Sequence, residues 1–359
     1  MEFYGIINSG GFDVIIGNPP YVEYNKVRNT YQVRHYQTES CGNLYVFVLE
    51  RSALLVQPTG HVGLIVPIAL VSVSETLSAR ALLSKRFPRS WFSNFAIRPA
   101  KLFDGVEQRL TIWLSDADQR LERQSLTTKY LQWYKDERPT LFAKLEYTLA
   151  SDLTNGRYVP KLGNQLAHEV VRKINQVAAG IVTESLADQG RYKLFFHRTP
   201  GYWIRIMDFE PYFRSPTATR SIHHIRELHV RDEMMAKFIG AVVSSSLYFF
   251  WFFAMGNCRN LTLEDVKQFK IGRPTSDILV RTGKLFDDLM RDFQQNSFTN
   301  SRGDTEFQEF NWDLSKHIID RIDAVLGEHY GLTDEEVDFV ANYDIKIRMG
   351  KEFDYEENC

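Results

Sequence analysis

The segment Phe12–Tyr21, FDVIIGNPPY, constrains the fold more than any other part of the sequence. Apolar and β-branched residues run directly into a glycine, an asparagine and two prolines. The run predicts a buried strand over residues 12–16, which must stop because proline has no N–H to donate to a sheet. A stiff loop therefore carries one amide, at Asn18, and one aromatic ring, at Tyr21, just beyond the end of a strand.

The first 117 residues alternate between strand and helix patterns. Pro58-Thr59-Gly60 is expected to close the first helix, Pro67 to end the second strand, and Ser74 to cap the second helix. An order of this kind is typical of an α/β fold that ends in antiparallel strands. The predicted elements are a strand at 12–16, a helix at 43–56, a strand at 61–67, a helix at 74–86, and strands at 91–97 and 109–114.

Beyond Asp116 the sequence changes in character. Residues 116–140 are polar and charged, and residues 150–280 mix short strands and helices with arginine, histidine and aromatic side chains. The chain is helical again near its end. N-cap signals at Thr262 and Thr333 predict the starts of two helices. One face of a predicted helix over 313–329 carries Ile318, Ile319, Ile322, Val325 and Leu326.

Composition narrows the class of protein. The formal net charge of −2 gives no global basic field, so a nucleic-acid partner requires local clusters of lysine and arginine. The cysteines, Cys41, Cys258 and Cys359, are far apart, which argues against a zinc site or a disulfide framework and fits a reducing compartment. The apolar run 247–255 is too short to span a bilayer. We therefore expect a cytoplasmic protein of a prokaryote with no membrane segment.

The loop after the first predicted strand has the groups needed to bind the exocyclic amine of a nucleobase. The lone pair of such an amine is delocalised into the base, and acceptors for both of its hydrogens pull the nitrogen towards sp³ geometry. The side-chain oxygen of Asn18 and the carbonyl of Pro19 are two such acceptors. Successive prolines fix φ, and Tyr21 offers a ring face to a base turned out of the duplex. A Pro-rich turn without any function is the competing interpretation.

The ten residues FDVIIGNPPY resemble motif IV of the amino-methyltransferases that act on adenine N6 in DNA. Residues 41–66 look like the helix and strand that follow it in that family, and residues 95–114 resemble its motif VIII hairpin. The C-terminal stretch over 315–350 is similar to the ending of the fused restriction–modification enzymes of type IIG, the Eco57I-like group. The segment between them matches only loosely, as a target-recognition domain would.

The resemblance assigns roles to particular residues. Asn18 and Pro19 would accept hydrogen bonds from the adenine amine, Pro20 would stiffen the loop, and Tyr21 would stack on the base. Phe103 would form an apolar wall against the flipped base, although ordinary packing in a hairpin explains it equally well. The implied reaction is in-line attack of adenine N6 on the methyl group of S-adenosylmethionine, without a metal ion.

The same resemblance implies a domain order. Residues 1–117 would be a partial class I, Rossmann-like methyltransferase sheet, 118–300 an α+β target-recognition domain, and 301–359 a helical tail. The Gly-rich motif that binds S-adenosylmethionine is not recognisable here, because Ser9-Gly10-Gly11 precedes the strand and leads into no helix. We expect the chain to be the C-terminal part of such an enzyme, to need the missing N-terminal methyltransferase or nuclease portion, and to expose the edge of its first strand.

Double-stranded DNA is the expected partner of the central segment. Arginines there are candidates for reading guanine edges or holding phosphates. His223, His224 and His229 lack the carboxylate or cysteine partners typical of a metal site. The DNA-binding candidates are Arg214, Arg220, Arg226, Asn257 and Arg259.

Two other functions remain open at this point. A non-catalytic DNA-specificity module of a restriction–modification system would keep the recognition domain and a relic of the catalytic loop. An amino-methyltransferase that acts on RNA or protein would use a similar loop, but the long segment after residue 117 favours DNA. Substitution of Asn18 by alanine separates the catalytic interpretation from the specificity module.

Overall fold

The computed structural model describes residues 4–30, 32–154, 158–177, 180–216 and 225–350. The chain divides into two compact units. The first comprises Met1–His168 with Phe253–Asn257, and the second comprises Glu169–Phe252 with Cys258–Cys359. The domain bounds predicted at residues 117 and 300 do not coincide with these units, and those bounds stay a prediction about function.

A mixed sheet forms the framework of the first unit. The spatial order of its described strands is β1-β2-β4-β3-β5-β6, with β1 at one edge. β1 runs parallel to β2, β4 is antiparallel to both β2 and β3, and β5 is parallel to β3. The strands are β1 Phe12–Gly17, β2 Val56–Pro67, β3 Arg89–Phe95, β4 Leu110–Asp116, β5 Gln124–Leu131 and β6 Thr148–Leu149.

Side chains alternate between the two faces of this sheet, as the pleat requires. Val62, Leu64 and Val66 of β2 are buried on one face. The opposite face carries a row of register partners that includes Ile16 of β1, Gly63 of β2 and Leu114 of β4. Ile16 is 80% exposed and Leu114 is 44% exposed, so this second face is open near β1.

Threonine side chains cap the N-terminal ends of three of the described helices. Thr262, Thr275 and Thr333 each accept a hydrogen bond from a backbone N–H in the first turn of the helix that follows. The described helices are α1 Tyr4–Asn8, α2 Leu44–Leu55, α3 Ala69–Ser72, α4 Leu77–Arg86, α5 Gln165–Gln176, α6 Glu233–Ser244, α7 Ser246–Met255, α8 Leu263–Lys267, α9 Ser276–Gln295, α10 Lys316–Tyr330, α11 Asp334–Ala341 and α12 Ile345–Arg348.

One arginine joins helix and sheet at the end of the first unit opposite the loop at Asn18. The Arg86 guanidinium, in the last turn of α4, donates hydrogen bonds to the carbonyls of Ala53, Val56 and Ala117. These carbonyls lie at the end of α2, at the start of β2 and just after β4. Because a guanidinium carries five N–H donors, a single side chain can satisfy carbonyls from three elements.

The second unit contains two small sheets and most of the remaining helices. Its strands are β7 Tyr192–His197, β8 Ile206–Met207, β9 Phe213–Arg214, β10 Ile225–Val230, β11 Ser297–Arg302 and β12 Thr305–Phe310. One sheet has the order β10-β7-β8 and the other β11-β12-β9, and every pair is antiparallel. Helix α9 contacts both α6 and α10. The fold therefore combines an α/β sheet with α+β elements and C-terminal helices, as the sequence predicts.

Asp323 of α10 is a buried charged group in the second unit. It is 2% exposed, and its Oδ1 accepts hydrogen bonds from the backbone N–H groups of Ser246 and Leu247 at the start of α7. Burial raises the pKa of Asp323 to about 6. The nearby guanidinium of Arg348 lowers the same pKa and donates a hydrogen bond to Ser246 Oγ.

The described part of the chain contains neither a single helix that could span a membrane nor a group of metal-binding side chains. No single helix there is long and apolar enough to cross a membrane, and only α6 and α7 together, bent by 63°, pass that test. Within the same residues, no three His, Cys, Asp or Glu side chains are grouped so that they could hold a metal ion.

Most predicted elements of the first unit are confirmed, and three details are wrong. β1 is a strand, but it is largely exposed rather than buried as its apolar run predicts, because it lies at the sheet edge, as the family resemblance implies. Pro58-Thr59-Gly60 does not close α2, since these residues already belong to β2. Ser74 does not cap α4, because it starts a short 3₁₀ turn and Thr76 occupies the N-cap position.

Candidate functional site

The candidate site is the loop Asn18–Tyr21 at the carboxyl end of β1. Asn18 and Pro20 are exposed, Pro19 is buried, and Tyr21 is partly buried. β1 reaches this loop in register with β2, where Gly17 lies opposite Leu64. In the described part of the chain, no hydrogen bond reaches the carbonyl of Pro19. An exposed amide therefore stands at the carboxyl end of β1, next to the carbonyl of the buried Pro19.

Hydrogen bonds of the Tyr21 hydroxyl fix the shape of this loop. The hydroxyl donates to Asn18 Oδ1, at an O···O distance of 2.5 Å, and lies 2.9 Å from the carbonyl oxygen of Ile65 on β2. Partial burial raises the pKa of Tyr21 to about 12, so the hydroxyl stays protonated and remains a donor at neutral pH.

A hydrophobic cluster lies against Tyr21. Partly buried side chains pack against the cluster core, and both Tyr21 and Phe103 are among them. The chain therefore brings to one cluster the two aromatic rings that the sequence assigns to a base pocket. The core of the cluster consists of Phe95, Leu102, Leu110, Trp133 and Leu141.

The segment after Tyr21 is tied back to the start of α2. Leu44 N donates to the carbonyl of Val22, and Tyr24 N donates to the carbonyl of Gly42, both at 2.9 Å. Tyr24 also packs edge-on against Phe47 of α2, with ring centroids 5.3 Å apart. The segment that follows Tyr21 is thus held against helix α2, which comes next in the sequence.

A buried carboxylate anchors the middle of that segment. Glu50 of α2 is 3% exposed and accepts hydrogen bonds from Gln37 N, Thr38 N and Thr38 Oγ1 at 2.9, 3.0 and 2.7 Å. Three donors can offset the desolvation of one carboxylate. This contact could not be predicted from the sequence, because glutamate in the middle of a helix usually faces solvent.

Of the two glycines before β1, Gly11 is too closely packed to fit S-adenosylmethionine. Gly10 and Gly11 have φ values of +103° and +116°, which favour glycine. A Cβ atom added at Gly11 would lie 2.3 Å from the carbonyl oxygen of Leu55 at the end of α2. Gly11 therefore lets two segments of the chain pass closely and leaves no room beside it for a ligand.

The DNA-binding candidates lie on separate elements of the chain. Arg214 is exposed at the end of β9, and Arg226 is partly buried on β10. Asn257 and Arg259 lie in the connection between α7 and α8. Arg220 falls outside the described residues. Their roles in DNA binding stay predictions.

Two further groups of polar side chains have local partners. His229 Nε2 lies 3.2 Å from Glu227 Oε2 on the same strand, while His223 and His224 fall outside the described residues. Near Phe103, Glu107 accepts a hydrogen bond from Lys101, which lowers the pKa of Glu107. His229 and Glu107 therefore each take part in a local ion pair with a neighbouring side chain.

Sequence reasoning missed several residues around the loop. Trp133 and Leu141 share a cluster with Tyr21, yet they lie more than 100 positions away in the chain. Their sequence neighbourhood is polar, and no periodic pattern links it to the first strand. The Ile65 carbonyl could not be found either, because a backbone acceptor leaves no trace in the sequence. Only the local segment that contains Asn18 carried a recognisable signal.

Solved structures with a related arrangement come from restriction–modification systems. A type IIL enzyme, MmeI, in complex with DNA has a TM-score of 0.46 and 10% identity over 95% of this chain and 57% of that one. A nuclease-deletion mutant of the type ISP enzyme LlaGI with a DNA substrate mimic has a TM-score of 0.43 and 9% identity over 81% of this chain and 42% of that one.

A third structure is the methyltransferase subunit of a type I system from Streptococcus thermophilus, with a TM-score of 0.28 and 14% identity over 42% of this chain and 37% of that one. The chain thus spans less than two thirds of each of these structures. A sequence comparison with curated proteins gives no match.

A comparison with family models gives a match at the N-terminal end of the chain. The matched residues, 1–95, include the loop Asn18–Tyr21, helices α2 and α4, and strands β1 to β3. The matching family is described as the Eco57I restriction-modification methylase. Residues 1–95 thus match the Eco57I restriction-modification methylase family, and the resemblance expected from the segment FDVIIGNPPY is confirmed for that part of the chain.

Proposed function

We propose that this chain supplies the part that binds the target base in an enzyme that methylates adenine N6 in double-stranded DNA. The observation that supports the proposal most is the arrangement around Asn18. An exposed amide and a carbonyl without a described donor stand at the end of β1, and Tyr21 and Phe103 pack against one cluster beside them. A flipped adenine needs two acceptors for its amine and apolar surfaces for its ring.

Each residue of the loop has a specific task in this proposal. Asn18 Oδ1 and the Pro19 carbonyl accept the two hydrogens of the amine, which localises the nitrogen lone pair. Pro19 and Pro20 hold the acceptors in place before the base arrives, since proline fixes φ. Tyr21 and Phe103 contact the ring of the base, and such stacking contributes about 1–3 kcal/mol per base.

The methyl donor in this proposal is S-adenosylmethionine, held by a portion of the enzyme that carries the Gly-rich cofactor motif. Gly11, just before β1, does not fit that cofactor, because it is packed against Leu55. β1 is an edge strand with Val14 57% and Ile16 80% exposed. We propose that a strand of the cofactor-binding portion pairs with β1 and covers these two side chains.

Methyl transfer to DNA tests the proposed function. The full chain is combined with the polypeptide that carries the cofactor motif, and transfer of labelled methyl groups from S-adenosylmethionine to genomic DNA is measured. Asn18→Ala is expected to lower the rate about 100-fold or more, as loss of one preorganised hydrogen-bonding group does in other enzymes. Asn29→Ala, an exposed asparagine in the following segment, is the matched control and should keep the rate.

Two outcomes would overturn the proposal. Equal rates for Asn18→Ala and the unsubstituted chain would remove the catalytic role and favour a non-catalytic specificity module. Digestion of the product DNA identifies the methylated base, and methyl groups found on cytosine rather than on adenine N6 would contradict the assigned substrate.

A further inference from the structure

The Tyr21 hydroxyl has more oxygen neighbours than it has protons. Its Oη lies 2.5 Å from Asn18 Oδ1 and 2.9 Å from the Ile65 carbonyl oxygen, and both of these atoms are acceptors only. A phenol carries one proton, and O–H···O bonds span about 2.5–3.0 Å. The shorter distance places this proton chiefly on the line to Asn18, and Ile65 takes the weaker branch of a shared bond.

This bond decides which way the Asn18 carboxamide points. The oxygen and nitrogen ends of an asparagine side chain exchange places when χ2 turns by about 180°. Only the oxygen end can accept the proton of Tyr21, so the amide oxygen is held on the side of the Tyr21 hydroxyl and the NH₂ group is turned away. An amide oxygen accepts two hydrogen bonds, and the exposed Asn18 side chain keeps its second acceptor site open.

We infer that Tyr21 acts through its hydroxyl as a positioning residue for Asn18, holding the side-chain oxygen towards the amine of the target base. This inference rests on the proposed function. It gives Tyr21 a second task besides stacking, because the ring packs against the cluster while the hydroxyl orients the neighbouring acceptor. Without the hydroxyl, the NH₂ end of Asn18 can face the amine, and two donors then oppose each other.

The anchor of Tyr21 explains why the hydroxyl can hold its neighbour. Ile65 belongs to β2, and its side chain packs against the same cluster as the Tyr21 ring. The Tyr21 side chain is therefore held by an apolar contact with the cluster and by a polar contact between its hydroxyl and the Ile65 carbonyl oxygen. Asn18 has no comparable support among the described residues, since its side chain is exposed and two residues, Pro19 and Pro20, separate it from the cluster contact at Tyr21.

Nuclear magnetic resonance of the full chain tests the inference without any methyl transfer. The chain is labelled with ¹⁵N-asparagine, and the side-chain NH₂ signals of Asn18 are assigned by their loss in Asn18→Ala. We expect the NH₂ group to be ordered in the unsubstituted chain and its order parameter to fall below about 0.6 in Tyr21→Phe. An order parameter that does not change in Tyr21→Phe would overturn the inference.

A matched control and a kinetic measurement complete the test. Tyr24→Phe removes a hydroxyl three residues away, which accepts from Val33 N, and should leave the Asn18 signals unchanged. In the assembled enzyme, Tyr21→Phe should lower kcat about 3- to 10-fold at an unchanged KM for DNA, because it keeps the ring and loses one hydrogen bond. An unchanged kcat would also overturn the inference.

The two proposals can fail separately. If Asn18→Ala keeps full transfer while Tyr21→Phe still loosens the Asn18 amide, the proposed function is overturned and the orienting contact stands. If Asn18→Ala abolishes transfer while Tyr21→Phe leaves both the amide order and kcat unchanged, the proposed function stands and the orienting role of Tyr21 is overturned.

Discussion

Glu50 and Asp323 are buried carboxylates that accept hydrogen bonds from backbone N–H groups in different parts of the chain. The Glu50 carboxylate binds two backbone N–H groups and a hydroxyl of the segment that follows the candidate site. Asp323 binds two N–H groups at the start of α7, and its Oδ2 has no hydrogen-bond partner among the described residues. Asp323 thus has fewer hydrogen-bond donors than Glu50, and burial raises the pKa of Asp323.

We predict a pH dependence of stability that comes from Asp323. Burial raises its pKa to about 6, above the ordinary value of 3.8, so the folded chain holds this proton more tightly than the unfolded chain does. The contribution of Asp323 to stability is therefore present at low pH and declines as the pH rises towards 6. In Asp323→Asn, which cannot titrate, this decline should disappear.

Urea unfolding at several pH values between 4 and 7 measures this effect. The free energy of unfolding of the unsubstituted chain, taken relative to Asp323→Asn, should fall as the pH rises from 4 to about 6 and level off above that pH. The comparison cancels the titration of distant groups, while Arg348 and Asp320 are the charged neighbours that act on Asp323. A constant difference between the two proteins across the whole range would contradict the prediction.

At the scale of a single element, the edge strand β1 is exposed where a parallel strand is usually covered. Val14 and Ile16 point to the open face, and β1 is paired on one side only among the described strands. Exposed apolar edges of this kind promote pairing between chains. The full chain by itself should therefore associate with other copies of itself at micromolar concentration.

Ile16→Lys should reduce this association with little loss of stability, because the side chain is already 80% exposed. Sedimentation velocity measures the association and thermal unfolding measures the stability. Leu54→Lys, which changes an equally apolar and 68% exposed residue on α2, is the control and should leave the association unchanged. If both variants associate like the unsubstituted chain, the edge strand is not the contact.

The types of the elements could be predicted from the sequence, but their coverage could not. Apolar spacing located α2 and α10, and capping residues located α8 and α11. The apolar run that predicted β1 as buried could not show which neighbours the strand has in the sheet, and the exposed edge was expected only from the family resemblance. Periodicity reports which side chains share a face, whereas burial depends on what the rest of the chain places over that face.

Prediction of the site was limited in the same way. Asn18 and Tyr21 could be found because they lie in one short segment with a recognisable chemistry. The packing of Tyr21 against a cluster that contains Trp133 could not be found, since long-range contacts leave no local pattern. Phe103 was expected near the base, and the structure places it against the same cluster as Tyr21, while its role in binding remains a proposal.

At the scale of the whole molecule, we predict that the full chain alone does not bind S-adenosylmethionine. Gly11, in the glycine pair that precedes β1, is packed against the end of α2 and leaves no room beside it for the cofactor. Isothermal titration of the chain with S-adenosylmethionine should give no binding heat, and heat should appear once the proposed cofactor-binding portion is added. A micromolar dissociation constant for the chain alone would contradict this division of tasks.

The hydrogen bond between Tyr21 and Ile65 makes the candidate site sensitive to the alignment of two strands. A slip of β1 along β2 by two residues keeps every side chain on its original face, yet it shifts Asn18 by about 6.6 Å relative to Ile65. Such a misaligned chain would retain a complete sheet and lose the loop geometry. The hydrogen bond from the Tyr21 hydroxyl to the Ile65 carbonyl would then report on correct folding, because it forms only when β1 and β2 pair in the native register.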